Sequence, residues 1–296
     1  MITRRTMAGL APALVFGTIA PSAFASGVGI RPAKPNARIV VTGSYLAEIV
    51  VDLGMASQIV AVGGGIDHVT ALRNVQRLAG FRQRGPESIL AQRPDLYIST
   101  TDITDAAMGN QLQTAGVQVA IFEPEPTLAG ISERIAELGL ILNKRREAQT
   151  LTRRFQADLA NARALVARAR TKPKGLFILS GGNRPTLVAG RNTGPANLIE
   201  LAGGINVATA IEGFKVMSQE AMVAAAPDFI LLNRDGLDER NGTPVALTAP
   251  GALLTPAGRN RRLVTMPGEF LQGFGLLTPS AMRALARVLH PELAGR

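Results

Sequence analysis

Two glutamates and one histidine sit where the sequence suggests chemistry. Glu87 and Glu220 each open the same phrase: a glutamate, a turn and a half of helix formers, Pro-Asp, then an apolar run. One copy reads Pro86-Glu87-Ser88-Ile89-Leu90-Ala91-Gln92-Arg93-Pro94-Asp95-Leu96-Tyr97-Ile98. The other reads Gln219-Glu220-Ala221-Met222-Val223-Ala224-Ala225-Ala226-Pro227-Asp228-Phe229-Ile230, offset by 133 residues. An internal repeat reports architecture before any fold is assigned. Here it predicts two lobes related by a pseudo-twofold axis, with the two carboxylates at matching places. Each glutamate also suits the first turn of a helix, where the dipole favours an anion.

His68 follows Gly63-Gly64-Gly65 in the loop after a β-branched run, together with Asp67 and Arg73. Neutral imidazole is a good ligand for iron; a hydrogen-bonded surface group is the alternative. Tyr45 lies in the first strand-to-helix turn. The remaining loops on that side are basic or aromatic. Phe81, Arg82 and Arg84 precede the Glu87 helix, Arg184 and Arg191 flank a Gly-rich turn, and Phe214, Lys215 and Met217 precede the Glu220 helix. An apolar pocket rimmed by guanidinium groups suits a flat, apolar molecule bearing carboxylates, because arginine pairs with carboxylate as a bidentate fork. Taken singly, each arginine could equally be a solvated one.

Enzyme motifs are missing. Gly63-x-Gly65 lacks the third glycine of a dinucleotide turn, and neither a phosphate-binding loop nor a nucleophile elbow occurs. With two histidines a three-histidine zinc site is ruled out. His290, before Pro291 near the C-terminus, reads as a surface residue. The absence of cysteine removes disulfides, thiol catalysis and cysteine metal sites.

The elements that must position these groups follow from periodicity. Residues 1–25 read as a secretory signal: Arg4 and Arg5, a mildly apolar stretch from Met7 to Ala20, then Ala23-Phe24-Ala25 as a cleavage site. General secretion and twin-arginine export both fit. Cleavage near Ala25 would leave a periplasmic protein without a lipid-anchor cysteine. Residues 26–37 form a loose arm. Strands and helices alternate over 38–142, and again over 172–296, which predicts a mostly parallel sheet in each lobe. Between them, 143–171 reads as one helix. Leu151, Phe155, Leu159, Ala162, Val166 and Ala169 make its apolar stripe, and the helical stretch from Lys144 to Arg170 would be about 40 Å long. The chain carries a net charge of +10, of which Arg4 and Arg5 supply two. That is compatible with an anionic ligand or surface; an exported chain without a dense basic tail argues against nucleic acid.

The sequence resembles the periplasmic haem-binding proteins of ABC haem importers, within the helical-backbone class that also serves cobalamin and ferric siderophores. The marks are Thr42-Gly43-Ser44 with Ala47-Glu48-Ile49-Val50, the two Glu…Pro-Asp repeats, Val188-Ala189-Gly190-x-x-Thr193, Leu201-Ala202-Gly203-Gly204-x-Asn206, Thr255-Pro256-Ala257-Gly258-Arg259 and Gly273-Phe274-Gly275-x-x-Thr278-Pro279. The resemblance implies two Rossmann-like α/β lobes joined by one rigid helix, with haem as the transported ligand in the cleft between them. It implies a non-enzymatic, monomeric carrier that docks on an inner-membrane permease dimer with its ATPase, downstream of an outer-membrane haem receptor. The loop that carries the axial ligand in the family, commonly a tyrosine, matches His68 here, with Tyr45 as the fallback. Water or Met217 is the candidate opposite it. Glu87 and Glu220 match the acidic residues that meet arginines of the two permease subunits. The alternatives are a siderophore or cobalamin carrier, and a periplasmic haem-handling enzyme or chaperone.

Overall fold

The structure is a computed structural model that describes residues 32–78, 85–179, 187–233, 239–240, 243–271 and 274–293. The signal segment, Phe81, Arg82, Arg84, Arg184 and Gly273 lie outside the described residues.

The first lobe is built from β1 (Ile39–Val41), α1 (Ser44–Asp52), β2 (Ile59–Val62), β3 (Gln76–Arg77), α2 (Pro86–Leu90), β4 (Leu96–Thr100), α3 (Ala106–Thr114), β5 (Gln118–Phe122) and α4 (Leu128–Ile141). Its sheet has the order β3-β2-β1-β4-β5 and every pairing is parallel. Strands β1 and β4 are buried along their whole length. That is why β1 and Leu96–Ile98 of β4 read as unbroken apolar runs rather than alternating ones. Side-chain caps start the helices where the sequence offers them: Asp105 accepts from Met108 N and Thr127 from Gly130 N.

The second lobe contains β6 (Lys174–Leu179), β7 (Leu187–Ala189), α6 (Gly194–Leu201), β8 (Ile205–Asn206), β9 (Phe214–Lys215), α7 (Gln219–Ala225), β10 (Phe229–Leu232), the pair β11 (Glu239–Arg240) and β12 (Thr243–Pro244), α8 (Pro256–Arg259), β13 (Leu263–Thr265), α9 (Gly268–Leu271) and α10 (Thr278–Leu289). Its sheet runs β13-β10-β6-β7-β9, with β8 also on β6. The repeat does not hold strand for strand. β6, β10, β13 and β8 pair in parallel, but β7 is antiparallel to both β6 and β9. In the first lobe α1 carries the chain over to the next parallel strand. In the second, β7 follows β6 without a helix among the described residues, so it returns antiparallel.

The Pro-Asp half of the repeat has a structural duty in both lobes. Arg38 N donates to Asp95 Oδ2 at 2.9 Å, and Lys174 N donates to Asp228 Oδ2 at 2.8 Å. Each aspartate thereby clamps the entry of the central strand that its own strand pairs with. The residue before each proline, Arg93 or Ala226, is left-handed, with φ of 49° and 44°. For an L-residue that conformation costs about 1–2 kcal/mol. We expect Ala226→Gly to stabilise the chain by up to about 1 kcal/mol after glycine's entropy is subtracted, read as a higher urea midpoint. An unchanged or lowered midpoint would show that the turn carries no strain.

Helix α5 (Arg145–Val166) joins the lobes and is about 33 Å long. Ala148, Leu151, Phe155, Leu159 and Ala162 are buried, and Val166 and Ala169 pack half-buried against the same core. Its first half lies on α4, where Gly139 meets Ala148 with no room for a side chain. Its second half lies on α10, whose Arg283 Nη1 reaches Asp158 O at 3.2 Å. One apolar core runs from β1 through α5 into α10. A helix cemented to both lobes is a stiff strut.

His290 corrects the surface reading. It is fully buried beneath the end of α6. Its Nε2 donates to Ala202 O at 3.1 Å, and its Nδ1 lies 3.4 Å from Thr171 Oγ1. Gly203, at φ +87°, leaves the space that the ring fills.

Candidate ligand cleft

The lobes meet where α1 faces the chain before α10. Gly43, at φ 106°, turns β1 into α1 and places Tyr45 in the first helical turn. Glu48 lies three residues on, hence on the same side of the helix. Both face Gly275 of the second lobe: a Cβ there would stand 2.7 Å from Tyr45 Cβ and 3.5 Å from Glu48 Oε2. Arg134 reaches the same spot from α4. It is 4% exposed, and its Nη2 donates to Phe274 O at 2.7 Å across the lobes, while Nη1 donates to Glu125 O at 3.0 Å. Its guanidinium lies 5.1 Å from the Tyr45 ring centroid, in range of a cation–π attraction. A second bridge runs from Asn197 Nδ2 on α6 to Pro126 O at 2.7 Å.

His68 joins this cluster through Glu48. After β2 the glycine loop turns back over α1, and His68 Nε2 stands 2.8 Å from Glu48 Oε1. The imidazole side chain keeps 18% of its surface open. Burial raises the Glu48 carboxyl above the usual carboxylate range, and the hydrogen bond and charge of His68 oppose that rise. Neighbouring Asp67 pairs with Arg77 Nη2 at 2.9 Å, which anchors the loop to β3.

Burial pushes the Tyr45 phenol up to about 12, against the lowering influence of Arg134 and the nearby Thr100 hydroxyl. Tyr45 Oη, Thr100 Oγ1, Glu48 Oε2 and Arg134 Nε are buried with no partner of hydrogen-bonding geometry among the described residues. Orphan polar atoms of this kind are uncommon in a closed interior. Four at one seam mark a polar floor between the lobes.

The expected site residues divide. Tyr45 and His68 come together through Glu48 and α1. Arg73 is exposed at the end of the loop. Phe81, Arg82, Arg84 and Arg184 lie outside the described residues. Arg191 is exposed, with Nη2 4.0 Å from Glu212. Phe214 and Lys215 are exposed on β9, and the Phe214 ring stacks edge-on against Phe177 at 6.4 Å. Met217 is 7% exposed and packs in the second-lobe core with Leu176, Ile178 and Val188; packing accounts for it. Glu87 and Glu220 are exposed in the first turns of α2 and α7. Bonds from its own backbone N–H and the Ser218 hydroxyl hold the Glu220 carboxyl below the usual range.

Sequence reasoning missed Arg134, and used Glu48 only as a mark of resemblance. Arg134 did leave a signal: it occupies a core position of α4 in line with Ile131, Ile135 and Leu138, where a cation needs a reason.

Residues 39–270 match the family model described as periplasmic binding protein. The periplasmic heme-binding protein RhuT from Roseiflexus sp. RS-1, in apo form, is similar at 31% identity and a TM-score of 0.81, over 87% of this chain and 99% of that one. The periplasmic heme-binding protein BhuT, solved with two hemes, is similar at 31% identity and a TM-score of 0.79 over the same shares. Among curated proteins, the vitamin B12-binding protein of Vibrio campbellii is 23% identical over 205 residues, 69% of this chain and 73% of its own length. With its two α/β lobes on a rigid connecting helix, the chain belongs to the periplasmic binding protein family.

Proposed function

We propose that the protein is a periplasmic carrier that captures haem in the cleft between lobes 38–142 and 172–296 and delivers it to an inner-membrane ABC permease. One observation carries this reading: about 30% identity to heme-binding periplasmic proteins over nearly the whole of their length. His68 is the axial ligand, oriented by Glu48, with Tyr45 as the fallback. Exposed cations such as Arg73, Arg191 and Lys215, with Phe81, Arg82, Arg84 and Arg184, are the candidates for holding propionates and covering the porphyrin face. Glu87 and Glu220 dock on the two permease subunits. No step makes or breaks a covalent bond in the ligand, so the protein acts by binding alone.

The B12-binding relative favours a second reading, a cobalamin carrier. Parallel titrations with haemin and cyanocobalamin, read by visible absorption, separate the two. A saturable Soret change with haemin alone supports the haem carrier. Saturation with cobalamin alone overturns it in favour of the second reading.

A further inference from the structure

The positive charge of this chain is not spread over its surface. Residues 144–174, which are α5 and the entry to β6, hold ten Lys and Arg against Glu147 and Asp158, a net +8 of the chain's +10. The other 265 residues are close to neutral. Lys144 pairs with Glu147 at 3.2 Å and Arg154 with Asp52 at 3.4 Å. None of the other eight cations, from Arg145 to Lys174, makes an ion pair with a described carboxylate, and all eight are exposed. Because α5 buries Leu151, Phe155 and Leu159 on one stripe, the helical period sends Arg146 and Arg153 to the opposite side. A groove of about 470 Å³ runs beside them between α4 and α5. Ala136, Leu140 and Ala148 supply its apolar part, and Arg145, Thr152 and Arg153 its polar rim.

We infer that this ridge is an interaction surface for an anionic phospholipid bilayer, on which the carrier rests without using its ligand cleft or its acidic tips. Length and composition select that partner. Six of the ten cations, from Lys144 to Arg163, follow a helix of about 33 Å and the other four continue beyond its end, a span far longer than a small anion covers. A protein partner needs an apolar interface core poor in charge, yet Leu140 is the one large apolar side chain of α4 and α5 exposed here. A lipid headgroup over a shallow apolar groove meets both the guanidinium rim and its floor. Each cation held within a Debye length of such a surface strengthens partition about five-fold at low salt.

The test is co-sedimentation of the purified protein with large unilamellar vesicles, of mixed phosphatidylglycerol and phosphatidylethanolamine or of phosphatidylcholine alone. The wild type should sediment with the anionic vesicles at low salt, stay in solution with the zwitterionic ones, and be released by high salt. Arg146→Gln, Arg153→Gln, Arg163→Gln and Arg168→Gln combined should lower anionic partition by about a hundred-fold or more, with melting temperature and haemin titration unchanged. A charge-matched control, Lys34→Gln, Arg259→Gln, Arg261→Gln and Arg262→Gln, should partition like the wild type. Equal sedimentation with both vesicle types, or an equal loss in the control, would overturn the assignment. So would retention on heparin without vesicle binding at the same salt, which would give the ridge to a soluble polyanion.

Discussion

Reversing both acidic tips, Glu87→Lys with Glu220→Lys, is expected to abolish haem delivery in vesicles carrying the cognate permease while haemin binding stays at the wild-type level. The repeat separates the two acids in each copy. Asp95 and Asp228 are occupied by backbone N–H groups of the neighbouring strands. Glu87 and Glu220 are exposed and form no ion pair with a described residue. Both are carboxylates at neutral pH as exposed glutamates ordinarily are, and hydrogen bonds hold Glu220 below the usual range. Because the strut is packed into one core with both lobes, the tips present a fixed spacing to a twofold partner. An exposed ion pair contributes about 1 kcal/mol or less, so neutralising one tip should slow delivery modestly. Reversal places like charges against each other, which costs several kcal/mol at an interface, and it does so twice. Delivery by the wild type should also fall as salt rises. Undiminished transport by the double variant would sink the docking role, and loss of haemin binding would move these residues into the pocket.

Replacing His68 with alanine is expected to weaken haemin binding by at least about tenfold, or roughly 1.4 kcal/mol, and to shift the Soret band. The geometry favours His68 over Tyr45. The Tyr45 hydroxyl is buried and burial pushes it up to about 12, while the Cβ end of the residue packs against Gly275 of the other lobe. The imidazole is partly open and, among the described residues, is held by a hydrogen bond to Glu48. A carboxylate on one ring nitrogen fixes the tautomer and makes the other nitrogen a better donor to iron, and losing such a partner typically weakens binding 10–100-fold. Glu48→Gln should therefore weaken haemin binding in the same direction as His68→Ala, without removing the ligand field of the imidazole. A Soret band unchanged in His68→Ala but lost in Tyr45→Phe would assign the iron to the phenolate instead. Thermal melts of each variant separate loss of ligand from loss of fold.

Local pattern and repetition made much of this protein legible. The strands around Val40, Ile98 and Leu231 follow from short continuous apolar runs, the start of α4 from the cap at Thr127, and the apolar stripe of α5 from a period of 3.6. The 133-residue echo pointed to two lobes, because short phrases recur when the same strand entry is built twice. Tertiary structure alone decided which partners these elements meet. Periodicity says which face of a helix is buried, and is silent on what lies against it. Arg134 finds Phe274 140 residues away, Glu48 finds His68 across a loop, and His290 vanishes under α6 because Gly203 leaves it room. Met217 packs in the core and β7 runs antiparallel for the same kind of reason. Long-range docking sets both, and that energy is shared among residues far apart in the chain.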